Sequence, residues 1–114
     1  IDYCLRSGID GIVAGNTTRS RDGLTSISKE KIEAIGNGGL SGAPVHQKNL
    51  ELVRYVHGKS AGKLPIIGVG GIMSPEDAKE MMDAGASLVE IYSGFIYEGP
   101  ALIKQIIKHL EANA

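Results

Sequence analysis

The sequence predicts an α/β fold, parallel strands with helices outside, and three observations predict it. Three short apolar runs, Ile12–Ala14, Ile66–Val69 and Leu88–Tyr92, read as strands. Each ends in a loop carrying glycine: Gly15-Asn16-Thr17-Thr18, Gly70-Gly71 and Ser93-Gly94. After each loop comes a segment with helical spacing, so the order is α–β–α–β–α–β–α. Strands alternating with helices in this way form parallel sheets.

The first element, Ile1 to Gly8, has the character of the last two turns of a helix, with Gly8 as its stop. Ile12-Val13-Ala14 follows as a strand. Arg19 to Gly42 is a long irregular connection with a short helix over Ser28–Ile35, and connections of this length in compact domains are often functional. From Pro44 to about His57 the pattern is helical, with Leu50, Val53 and His57 on one face and Leu52 and Val56 beside it.

Gly58–Gly62 turns the chain into Pro65, which fixes the entry to Ile66-Ile67-Gly68-Val69, a run of the kind a doubly buried parallel strand uses. Ser74 then reads as an N-cap, Pro75 as the first helical residue and Asp77 as the residue three beyond the cap. Ala78, Met81, Met82 and Ala86 give this helix an apolar stripe, and Gly85 ends it. The last helix spans about Pro100 to Glu111. Leu102, Ile103, Ile106, Ile107 and Leu110 form its buried stripe, with Lys104 and Lys108 outside.

Composition narrows the function. Twelve basic residues against 13 acidic ones leave a net charge of −1, without the basic surface that nucleic-acid binding requires. Aromatic residues are 4% of the chain and tryptophan is absent, which argues against base-stacking platforms. The single cysteine, Cys4, reads as a small buried hydrophobe. No signal peptide and no apolar run near the ~20 residues of a membrane span is evident, so the expected compartment is cytoplasmic.

In a parallel sheet the three glycine loops lie at one edge, the carboxyl ends of the strands, where α/β proteins bind ligands. Backbone N–H groups in such turns suit an anion such as phosphate. A Gly-Gly pair also marks a plain tight turn. The second loop, Ser93-Gly94, arriving one βα unit later, favours the anion site, while Glu76 and Asp77 oppose it unless they point away. His46, His57 and His109 have no metal-ligand companions at useful spacing, so no metal site is expected. Arg19 and Arg21 read as solvated loop charges. A full (βα)8 TIM barrel takes about 250 residues. The 114 residues, opening inside a helix, are therefore expected to be the last three βα units of one, a partial catalytic domain over residues 1–114.

Four blocks, GNTT at Gly15–Thr18, GGLSG at Gly38–Gly42, GVGG at Gly68–Gly71 and IYSGFIYEGP at Ile91–Pro100, carry a specific likeness. In order and spacing the chain resembles the C-terminal part of class 2, quinone-linked dihydroorotate dehydrogenases, FMN enzymes of pyrimidine (UMP) biosynthesis. The resemblance implies that Gly70, Gly71, Tyr92, Ser93 and Gly94 hold the FMN phosphate through backbone amides, and that Gly42 and Gly15 lie against the flavin. Many relatives carry threonine at the position of Gly15. Asn16 and Thr17 match the pair that hydrogen-bonds the orotate ring, for which a carboxamide offers both a donor and an acceptor.

The resemblance also places the quinone tunnel in an N-terminal helical pair that touches the membrane, and the catalytic serine base and a flavin-side lysine in barrel units before this segment. No catalytic residue is therefore expected within it. A bacterial parent enzyme would sit peripherally on the cytoplasmic face of the inner membrane, with quinone as electron acceptor. Two alternatives stand beside this reading: another FMN-dependent barrel oxidoreductase, or a structural fragment inactive alone that self-associates through its open sheet edges.

Overall fold

The computed structural model describes residues 1–114. Strands β1 (Ile12–Ala14), β2 (Ile66–Val69) and β3 (Leu88–Glu90) form one parallel sheet in that order. Helices α1 (Asp2–Ser7), α2 (Lys29–Ile35), α3 (His46–Lys59), α4 (Pro75–Asp83), α5 (Ser93–Glu98) and α6 (Ala101–Ala112) accompany it, with a 3₁₀ turn over Ala43–Val45 before α3. The register pairs Ile12 with Ile66 and Ile67 with Leu88, so all three carboxyl ends reach the same edge. No helix is long and apolar enough to cross a membrane.

Local chemistry sets most boundaries. Gly8 closes α1 with φ 73°, and the Ser28 hydroxyl accepts from the Lys31 N–H to open α2. At α4 the Ser74 hydroxyl accepts from the Asp77 N–H at 3.1 Å, and the Asp77 carboxylate accepts from the Met73 N–H at 2.9 Å. The first bond satisfies a donor that a helix start otherwise leaves orphaned, and the second ties the residue before the cap to the first turn.

The core lies between one face of the sheet and the helices. Ala14 and Ile66 meet Leu50, Val53 and Val56 of α3 and Ala78 and Met81 of α4, while Leu102 and Ile106 pack α6 against α4. Gly68 lets β2 approach α4, since a Cβ there would overlap Met81 and Ala86. Burying a side chain such as Met81, which is fully enclosed, stabilises the fold by about 1.5–3 kcal/mol. Cys4 is half-buried and packs against the edge of this core.

Several expectations need correction. The strand Ile66–Val69 is covered on one face only: Ile66 and Gly68 are buried, whereas Ile67 and Val69 are half-buried. Its neighbours on that second face, Val13 and Leu88, are 56% and 62% exposed, because no element of this chain packs there. The third strand stops at Glu90 rather than Tyr92. The stripe of α6 is narrower than its sequence, with Ile103 and Ile107 exposed, since α4 covers only the side bearing Leu102 and Ile106. Leu52 of α3 is likewise exposed.

Ser93-Gly94 is not a simple loop but the start of α5. A six-residue helix is not stable by itself. It is fixed by contact: Gly94 is buried against the Ile72 carbonyl, where a Cβ would not fit.

Candidate functional site

The carboxyl edge of the sheet opens into a cleft of about 350 Å³. Gly15, Asn16 and Thr17 line it from the end of β1, Gly70 and Gly71 from the end of β2, and Tyr92, Ser93 and Gly94 from the end of β3. Gly42 completes the wall from the segment before α3. All nine residues singled out from the sequence thus share one cavity.

The rims touch one another. Gly42 faces Ser93, where a Cβ would stand 3.6 Å from the Ser93 Cβ, and the Ser93 hydroxyl donates to the Ser41 hydroxyl at 2.9 Å. Gly94 lies against the carbonyl of Ile72, next to Gly71. The backbone N–H groups of Gly70, Gly71, Ser93 and Gly94 have no acceptor within the chain. Converging free amides of this kind form a concavity that suits an anion. Gly71 has φ 80° and presses against the backbone of His46, so both its conformation and its space require glycine.

On the opposite side Asn16 and Thr17 are exposed to the cleft. The Asn16 side-chain oxygen accepts from the Thr17 N–H at 2.8 Å, which leaves its amide NH₂ free to donate. Thr18 is buried, and its backbone exchanges two hydrogen bonds with Leu40 at 3.0 and 2.7 Å. That bridge draws the GGLSG segment over the first loop, and Gly39 leaves room for the Thr17 side chain.

Four features are not evident from sequence pattern. Asn49 of α3 is 3% exposed and reaches from the helix to the backbone of Asn16. Its place was readable in principle, since residues 49, 53 and 56 share a helical face. Ser41 and Glu90 also line the cleft, Glu90 as the charged residue that interrupts the apolar run of β3. Arg21 is not a solvated charge: its guanidinium donates to the carbonyls of Thr18, Gly36 and Gly38 and ties down the long connection. His46, expected to have no companions, has two. Its Nε2 lies 3.1 Å from Glu80 and 3.7 Å from Asp77, and the three groups gather within 4.8 Å on the outer side of the Gly71 turn. His57 and His109 acquire no comparable grouping.

Comparison with known proteins gives a consistent result. The family model described as dihydroorotate dehydrogenase matches residues 1–113. A relative from Salinispora arenicola named dihydroorotate dehydrogenase (quinone) is 48% identical over 104 residues, covering 91% of this chain and 30% of the relative. A protein of the same name from Proteus mirabilis is 52% identical over 109 residues, covering 96% of this chain and 31% of its own length. The chain thus spans just under a third of the curated relatives it matches. The crystal structure of ligand-free DHODH from Eimeria tenella superposes with a TM-score of 0.84 at 36% identity, over 96% of this chain and 29% of that one.

Proposed function

The chain belongs to the dihydroorotate dehydrogenase family, and from that premise we propose that its cleft binds FMN and orotate in an enzyme that oxidises dihydroorotate to orotate. The observation that carries the proposal is the meeting of four sequence blocks at one cavity where the backbone amides of Gly70, Gly71, Ser93 and Gly94 are unpaired.

The residues fit the cofactor. Gly70, Gly71, Ser93 and Gly94 present N–H groups from two neighbouring rims, where Cβ atoms at residues 70, 71 and 94 would collide with Asn49, His46 and Ile72 and displace the turns. Amides fixed by the fold can hold a phosphate without reorganising. Gly42 and Gly15 line the same cavity on the side assigned to the flavin ring. When bound, FMN supplies the acceptor for the hydride leaving dihydroorotate.

Asn16 and Thr17 stand on the substrate side. The free NH₂ of Asn16 donates to a carbonyl of the pyrimidine ring, and Thr17 lines the same side of the cleft. A site that pairs buried polar groups rejects ligands that leave those groups unpaired. The name of the relatives supports a quinone as electron acceptor, and with it a working position at a membrane surface.

The test is made on the intact protein. It is expected to purify with flavin, to lose its yellow absorption on adding dihydroorotate, and to regain it with a quinone. Asn16→Ala is expected to retain flavin and to lower kcat/KM for dihydroorotate at least about tenfold, the scale of one hydrogen bond to a polar ligand. A protein without flavin, or one whose flavin dihydroorotate leaves oxidised, refutes the proposal.

A further inference from the structure

We propose that Asn49 is a positioning residue for Asn16, and that position 15 is glycine because the Asn49 carboxamide occupies the volume a side chain there would need. The proposal deepens the reading above and rests on it for the identity of the ligand.

Pairing between β1 and β2 ends with the Gly15 N–H donating to the Val69 carbonyl at 3.2 Å. Beyond that point Asn16 has no neighbouring strand to satisfy its backbone. Asn49 takes that place: its Oδ1 accepts from the Asn16 N–H at 3.2 Å, and its Nδ2 donates to the Asn16 carbonyl at 3.0 Å. The orientation of the amide is unambiguous, because a backbone N–H only donates and a backbone carbonyl only accepts. The side chain from α3 thus extends the sheet by one residue and fixes the peptide planes on both sides of the Asn16 Cα. The direction in which the Asn16 side chain enters the cleft follows from those planes.

The steric match is equally specific. A Cβ on Gly15 would overlap the Oδ1 and Cγ of Asn49, and one on Gly70 would overlap its Nδ2. Gly15 does not lie in the left-handed region, so nothing in its own backbone calls for glycine. Asn49 does. The amide is therefore wedged between the ends of β1 and β2, touching the substrate-side loop by hydrogen bonds and the phosphate-side loop by contact alone. Its removal should affect orotate more than flavin.

The experiment uses the intact, flavin-loaded protein and the variants Asn49→Ala, Asn49→Asp, Gly15→Ala and the double variant Gly15→Ala/Asn49→Ala. FMN content, the orotate Kd read from the flavin spectrum, and thermal midpoints are measured for each. Asn49→Ala is expected to keep its FMN and to weaken orotate about tenfold, the scale of ordering one residue's backbone that is no longer held before the ligand arrives. Asn49→Asp preserves volume but not the donor to the Asn16 carbonyl, and is expected to weaken orotate as much. Gly15→Ala is expected to be harmful alone and nearly neutral once Asn49 is alanine.

Orotate binding within about twofold of the parent in both Asn49 variants overturns the positioning role, against the order-of-magnitude change that an unheld Asn16 implies. An effect of Gly15→Ala that is the same with and without Asn49 overturns the steric match. If the parent protein ignores orotate, the proposed substrate fails, and the Gly15–Asn49 coupling in thermal midpoints still decides the match. Should Asn49→Ala not fold, Asn49→Ser leaves the same room beside Gly15 and serves in its place.

Discussion

Replacing Gly71 with alanine sets a collision against the phosphate-side turn. Gly71 has φ 80°, and holding an L-residue in that region costs about 1–2 kcal/mol. The added Cβ would stand 2.5 Å from both N and Cα of His46. Those are backbone atoms at the start of α3, so no rotamer change relieves the overlap. Overpacking of this kind costs a further ~1–3 kcal/mol, for a total of about 2–5 kcal/mol.

Gly42→Ala tests a positive φ without the collision. Its φ is 81°, nearly the same, yet its nearest neighbour is the Ser93 Cβ at an ordinary 3.6 Å. Its ψ of −158° puts it in a region that only glycine visits readily, so alanine there carries a backbone cost of about 1–3 kcal/mol with no collision added. Denaturant unfolding at unchanged m-values measures both losses. A Gly71→Ala protein within about 0.5 kcal/mol of the parent would refute the claim that the α3 backbone closes this turn.

Two further outcomes follow from the connections around the cleft. Arg21→Ala removes the guanidinium that bridges Thr18 to Gly36 and Gly38, so amide exchange across residues 19–38 should accelerate while β2 and α4 stay protected. Unchanged exchange in that segment would show that Arg21 does not organise it. Ser74→Ala deletes the cap of α4 and is expected to cost about 1 kcal/mol in denaturant unfolding, with Ser74→Asp largely restoring it.

Periodicity and punctuation made much of the molecule legible. The apolar runs at Ile12, Ile66 and Leu88, the cap Ser74-Pro75 and the stop at Gly8 are local devices whose physics depends on a few adjacent residues. The parallel order then followed from the alternation of helix and strand, and it brought Gly15, Gly70 and Ser93 to one edge. Asn49 shows where such reading stops. As a polar residue between apolar positions of α3, it reveals its burial by spacing, but its partner is 33 residues away in the chain. Arg21 and His46 fail for the same reason, since the carbonyls of Gly36 and Gly38 and the carboxylates of α4 reach them only after folding.

The amino-acid order by itself determined the strands, most helices, the glycine turns and the family likeness, because each is written in short-range pattern. Tertiary structure alone decided that Ser93-Gly94 opens a helix, that Ile103 and Ile107 stay uncovered, and that Asn49 stands in for a missing strand beside Asn16. Those outcomes depend on which surfaces meet across the fold. A residue's own neighbours in the chain carry no record of what will be packed against it.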